Sequence, residues 1–176
     1  MKPVYLDNNA TTRVAPEVLT AMLPFLSEQY GNPSSMHSFG GAVGAHLRKA
    51  RSQVAEGLGC DPSEIVFTSC GTEGDNTAIR SALEAQPDKR HIVTTRVEHP
   101  AVLSLCKHLE DKGFDVTWLD VDGEGRLDLP GLEKALRKDT AIVSIMAANN
   151  ETGVLFPLDD IARVVNSDPI VGDRLK

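Results

Sequence analysis

Four short runs rich in β-branched and aromatic residues alternate with helical patterns along this chain, and that alternation limits the folds open to it. Residues 65–67 (IVF), 91–95 (HIVTT), 114–118 (FDVTW) and 141–146 (AIVSIM) read as strands. After the first, Ala78, Ile79 and Leu83 recur at helical spacing in a helix from Thr72 to about Ala85. After the second, Val102, Leu105, Cys106 and Leu109 share a helix face that Gly113 stops. After the third come a turn at 122–125 and a short helix over 130–137, with Asp128 as its cap and Leu132, Ala135 and Leu136 facing inward. After the fourth, residues 158–165 present Leu158, Ile161, Val164 and Val165. Successive parallel strands need a crossover of a dozen or so residues, and a helix is the usual one. The pattern therefore predicts an α/β fold with a largely parallel sheet and right-handed crossovers. The unbroken apolar run 141–146 predicts its central strand, and the alternating run 114–118 a half-exposed one.

The N-terminal third is organised differently. Residues 4–6 form a short extended segment, followed by a polar loop over 7–12. Pro16 suits a helix start, and Val18, Leu19, Met22 and Leu23 give that helix an apolar face. Pro24 should end or kink it before it resumes toward Tyr30. After a loop at 31–35, a long helix is expected from about Gly41 to Leu58, closed by Gly59 in a left-handed cap. The Gly40, Gly41 and Gly44 cluster has the wrong spacing for a dinucleotide fingerprint and follows no strand, so close helix packing accounts for it.

Composition narrows the function. A net charge of −7 argues against nucleic acid or an anionic membrane as partner. No apolar run reaches the roughly 20 residues needed to span a bilayer, and the opening MKPVYLDNN has no signal-peptide core. Cys60, Cys70 and Cys106 are odd in number and lack CxxC spacing, which predicts a reducing, cytoplasmic setting and neither a disulfide framework nor a metal site.

Ligands of parallel sheets bind beyond the carboxyl ends of strands. Three polar loops are expected there: 69–72, 98–99 and 149–151. At the first, a strand turns through Ser69, Cys70, Gly71 and Thr72 into a helix, whose unpaired N–H groups and dipole favour an anion. Gly71 allows close approach and the Thr72 hydroxyl adds a donor, so a cofactor phosphate fits; an ordinary turn capped by Thr72 is the other account. His99 could stack on a planar ring or move a proton, or simply bond a backbone group at a helix start. Asn150 could donate to a cofactor oxygen, or form a turn. Cys70 lies beside the proposed phosphate, but with no base near it in sequence it is read as packing.

The stretches YLDNNATT, GNPSSMHSFG, EIVFTSCGTEGDNTAI, VEHPAVL and SIMAANNETGVLFP together resemble the cysteine desulfurases, most of all the nitrogenase-associated NifS type, from about Val4 to Val165. That resemblance implies the N-terminal part of the large, mostly parallel-sheet domain of the type I pyridoxal-phosphate fold (16–176) plus a small-domain segment (1–15). It implies pyridoxal 5'-phosphate as cofactor and transfer of sulfur from L-cysteine, giving L-alanine and an enzyme persulfide. An iron–sulfur scaffold protein is implied as sulfur acceptor, nitrogenase maturation as destination, and a homodimer as assembly. Gly71 and Thr72 match the phosphate-binding pair, His99 the histidine that stacks on the ring and assists proton transfer, and Asn150 the asparagine bonding the ring's phenolic oxygen.

The family's Schiff-base lysine, its pyridine-pairing aspartate and its nucleophilic cysteine have no counterpart among these 176 residues, and residues 168–176 stop matching. The expectation is an N-terminal fragment, inactive and poorly soluble by itself. A selenocysteine lyase or other class V pyridoxal enzyme, or a non-catalytic truncated partner subunit, are the alternatives.

Overall fold

The computed structural model describes residues 3–167, so the expectation for residues 168–176 lies outside the described residues. The chain divides into two compact units, Met1–Phe67 and Thr68–Lys176.

In the first unit, helices α1 (Pro16–Met22) and α2 (Pro24–Ser27) meet at the proline expected to break them, and neither buries a residue. Helix α3 (Ser38–Leu58) starts three residues before the expected Gly41 and ends in Gly59 at φ 70°. Its glycines pack against a loop: a Cβ on Gly40 would lie 2.7 Å from the Ser35 carbonyl oxygen, and one on Gly44 3.2 Å from that of Pro33. A 3₁₀ turn, Pro62–Glu64, carries a capping box in which the Asp61 N–H donates to Glu64 Oε2 at 2.7 Å.

Residues 65–67 are not the buried strand expected of them. Among the described residues they pair with no strand, and Val66 and Phe67 are 71% and 47% exposed. The Arg51 guanidinium donates to the Ile65 carbonyl and lies 4.8 Å from the centre of the Phe67 ring. β-propensity alone cannot make a strand where no neighbour completes the ladder.

The second unit contains helix α4 (Gly71–Glu84), strand β1 (His91–Thr95), helix α5 (Pro100–Asp111), strand β2 (Asp115–Leu119), helix α6 (Leu129–Ala135), strand β3 (Thr140–Ser144) and helix α7 (Leu158–Ser167). The strands pair in parallel in the order β2-β1-β3. β1, every residue buried, is thus the central strand of the three described, and β3, expected at the centre, has one paired neighbour among the described residues. An apolar run reports burial, not position in the sheet; on β1 the buried His91 meets hydroxyls on both neighbouring strands. One extra residue, Ala141, enters β3 between the pairs His91–Thr140 and Ile92–Ile142.

β1 faces both ways. Ile92 packs with Ile79 and Leu83 of α4 and with Val102, Leu105 and Leu109 of α5. Val93 packs with Leu132 of α6, Ile161 of α7 and Phe156. The path explains this. α5 carries the chain from β1 to β2, and α6 carries it back across β1 to β3. Crossovers of one hand running in opposite directions put their helices on opposite faces. Helix α6 is shorter than the expected 130–137, and Asp128, although at its cap position, makes no side-chain cap bond.

The amino ends of the strands are tied by polar groups. His91 Nδ1 and Nε2 each lie 2.8 Å from a hydroxyl, of Thr140 on β3 and Thr117 on β2. Lys89 Nζ donates to the Thr140 carbonyl at 2.9 Å, and Gln86 Nε2 to that of Ala141 at 3.0 Å. Arg137 pairs with Asp115 and Asp139. The opposite, carboxyl ends are left for function.

Candidate functional site

The chain leaves β1 toward one face, through α5, and leaves β3 toward the other, through α7. Adjacent strands whose exits diverge open a crevice beyond their carboxyl ends. The loop 96–99 and the turn 149–153 flank that crevice.

Residues 69–72 lead into α4 as expected, Gly71 and Thr72 forming its start, although among the described residues no strand precedes them. Glu73 fixes this stretch: its Oε2 accepts from the Ser69 N–H at 2.7 Å and from the Ser69 hydroxyl. These bonds hold the Glu73 carboxyl below the usual carboxylate range. Gly71 opens α4, and no other atom lies within 4 Å of where its Cβ would be. The first-turn N–H groups of a helix have no partner within it, so this end can hold an anion. Cys70 is the N-cap residue and is exposed, not packed. The Glu73 N–H, the Ser69 hydroxyl and the Thr72 N–H draw its thiol below the ordinary pKa. Cys106 is the opposite case, fully buried and pushed up to about 11 by desolvation, with Glu98 and Glu110 adding to the rise.

His99 caps α5, its Nδ1 accepting from the Ala101 N–H at 3.1 Å. That backbone bond was one of the two readings of this residue, and it does not use up the ring. With Nδ1 accepting, the neutral imidazole carries its proton on Nε2, and the ring face stays available.

Thr72 and His99 line one open groove of about 440 Å³ between α4 and α5, with Asn76, Arg80, Ser104 and His108. Asn76 holds its two walls together, Nδ2 donating to the Thr72 carbonyl at 2.9 Å and the Ala101 carbonyl at 3.3 Å. The sequence offered one signal for it, an amide one helical turn after Thr72 in a position that suits stronger helix formers.

Asn150 is not among the groove residues. It lies exposed on the turn after β3, its amide donating to Glu151 Oε1 at 3.2 Å. Its neighbour Asn149 builds that turn. Asn149 Oδ1 accepts from the N–H groups of Glu151 at 3.0 Å and Thr152 at 2.9 Å, and its Nδ2 donates to the Val97 carbonyl at 3.1 Å. Gly153, at φ 75°, closes the turn. Glu98, 7% exposed, makes a second tie between the two loops: its Oε1 accepts from the Thr95 hydroxyl at 3.1 Å and the Met146 N–H at 2.8 Å. Burial raises the Glu98 carboxyl above the usual range, the bonds from Met146 and Thr95 oppose that, and Asp75 adds to it. Neither Asn149 nor Glu98 was singled out from sequence, because their partners are backbone groups on another loop.

The groove brings a helix start, the Thr72 hydroxyl and the His99 imidazole together, a set that suits a phosphorylated ligand with a flat ring. The class V aminotransferase family profile matches residues 4–171. This chain belongs to that family. The profile runs a few residues past Val165, where the resemblance in sequence was seen to end. Among curated relatives, the chain is 63% identical over 165 residues to a cysteine desulfurase of Trichormus azollae, covering 94% of this chain and 41% of the relative. It is 58% identical over 172 residues to the cysteine desulfurase NifS of Azotobacter vinelandii, covering 97% and 43%. The chain thus spans about two fifths of the length of these relatives. A solved NifS-like protein superimposes with a TM-score of 0.91 at 48% identity, covering 96% of this chain and 46% of that one. SspA in complex with cysteine gives 0.86 at 38% identity, covering 92% and 47%. The α/β fold with its parallel sheet is that of this family, as the sequence implied. Among the described residues, no helix is long and apolar enough to cross a membrane.

Proposed function

We propose that this chain forms the amino-terminal, cofactor-holding part of a cysteine desulfurase that takes sulfur from L-cysteine and leaves L-alanine and an enzyme persulfide. The observation that carries this reading is the shared groove of Thr72 and His99, beside the crevice flanked by the Asn149–Asn150 turn. The identity to cysteine desulfurases supports it.

Each residue has a role in the proposal. The N–H groups at Gly71 and Thr72, with the Thr72 hydroxyl, receive the phosphate of pyridoxal 5'-phosphate at the positive end of α4. The His99 ring packs on the pyridine face and exchanges a proton at Nε2. The Asn150 amide, bonded here to Glu151, would supply the donor for the ring's phenolic oxygen. Bound there, the cofactor supplies an electron sink for the substrate carbanion. Asn76 and Asn149 keep the donors in place, and proximity of that kind is worth several kcal/mol of barrier.

Residues 1–15 belong to a small domain and 16–176 to the large one. The full protein works as a cytoplasmic homodimer and passes its sulfur to an iron–sulfur scaffold protein, with nitrogenase maturation as destination. The lysine that links the cofactor and the cysteine that accepts sulfur are contributed from outside these 176 residues. The test is product analysis on the protein isolated from its native source. L-cysteine should yield equimolar alanine and sulfur, the latter as sulfide once a thiol reductant is present. Turnover of selenocysteine but not cysteine would assign a selenocysteine lyase instead, and turnover of neither would overturn the reading.

A further inference from the structure

We propose that Glu98 is the positioning residue that sets His99 and the Asn149–Asn150 turn at a fixed separation, an inference that rests on the pyridoxal reading above. Glu98 is the residue before His99 and lies at the carboxyl end of the central strand. One oxygen of its carboxyl group, Oε1, accepts two bonds at once, from the hydroxyl of Thr95, the last residue of β1, and from the Met146 N–H beyond the end of β3. The carboxyl group therefore spans the two strands between which the crevice opens. The first bond fixes how the chain leaves β1. The second fixes how it leaves β3, three residues before Asn149.

Its burial is costly, which gives the arrangement meaning. A glutamate only 7% exposed, with Asp75 adding a like charge, is not what a core needs for stability. An apolar side chain of the same size would fill the space without that cost. It could not accept the Met146 N–H, and the exit of β3 would lose its tie at this point. Asn149 makes a parallel tie from the other side, through Val97. Glu98 and Asn149 thus stand directly before His99 and Asn150 in sequence, and each ties one loop to the other. A ring held between His99 and Asn150 depends on that spacing, and displacements of about an ångström at such a site can cost about a hundredfold in rate.

The experiment compares the intact pyridoxal-loaded protein with its E98M and E98Q variants. Methionine keeps the length and apolar bulk but accepts neither bond; glutamine keeps an acceptor at Oε1. Two signals are read well below the unfolding temperature: the visible circular dichroism of the bound cofactor, and deuterium uptake of peptides covering 96–100 and 145–154 in the cofactor-free protein. E98M should lose about half or more of the dichroic amplitude and speed exchange in both peptides about tenfold, while E98Q stays near the parent in both. Should E98M not fold, E98D, whose carboxyl group is withdrawn by one methylene, must show the same losses. A foldable variant without the tie that keeps the parent's dichroism and exchange overturns the proposal, even if its melting temperature falls. An E98Q that fails like E98M also overturns it. A parent protein that takes up no pyridoxal phosphate removes the cofactor reading instead, and the exchange comparison still decides whether Glu98 couples the loops.

Discussion

Replacing His91 by alanine tests the polar tie at the amino ends of the strands, and its effect depends on pH. His91 is fully buried on the central strand, with hydroxyls 2.8 Å from both ring nitrogens. A hydroxyl can donate or accept, so a neutral ring, with one nitrogen donating and the other accepting, satisfies both contacts. The folded state thus uses neutral imidazole. Burial depresses the His91 pKa from its ordinary 6.5, Arg137 adds to that, and Asp115 and Asp139 oppose it. Alanine removes two buried hydrogen bonds, worth about 1 kcal/mol each, and leaves a cavity. A loss of about 3 kcal/mol near neutral pH follows. The pH dependence has a definite sign. With the folded pKa below the unfolded one, the contribution of His91 is complete above about pH 6.5 and shrinks as pH falls below it, because the unfolded chain then binds a proton that the folded one refuses. Between about pH 7.5 and 5.5 this removes up to about 1.4 kcal/mol from the parent and nothing from H91A. Urea unfolding of both proteins at the two pH values reads the difference, and other titrating groups cancel. The gap between parent and variant should narrow on acidification. A gap that stays constant or widens would refute the neutral, bridging role of His91.

Three further outcomes are expected. T72V, which keeps the shape and loses the hydroxyl, should weaken pyridoxal phosphate binding by the intact protein about tenfold, as one hydrogen bond to a charged group is worth roughly 1.5–3 kcal/mol; an unchanged fluorescence titration would remove Thr72 from the site. Iodoacetamide near neutral pH should alkylate exposed Cys70 well before buried Cys106, which should react only on unfolding, as peptide mass spectrometry would report. The 176-residue chain by itself should release no alanine from L-cysteine even with added pyridoxal phosphate, because the family's Schiff-base lysine and sulfur-accepting cysteine have no counterpart in it; robust turnover would contradict that.

Much of the fold was legible because local pattern and tertiary context agree. The run 91–95 matched β1 residue for residue, and Gly59 and Gly113 ended helices with positive φ as their positions implied. The failures share a physical cause. Among the described residues, 65–67 have strand propensity but no ladder partner, and 141–146 are apolar enough for a centre yet contribute a strand with one paired neighbour. Propensity is a property of a segment, whereas pairing belongs to its neighbours. The site follows the same division. Thr72 and His99 announced themselves as helix-start residues after small or polar loops. Asn76, Glu98 and Asn149 did not, since they act by reaching across to backbone groups 25, 48 and 52 residues away. Cys70 was misread because a cysteine without a nearby base looks like packing, while its true environment is an exposed helix start.

The most direct test of the central claim is the pyridoxal phosphate content of the protein isolated from its native source, measured by release of the cofactor and its spectrum. The account predicts one cofactor per chain, with an H99A variant holding it more weakly and with an altered visible band. A protein that carries none, and gains no visible band when titrated with pyridoxal 5'-phosphate, would contradict the assignment of Gly71, Thr72, His99 and Asn150 to a cofactor.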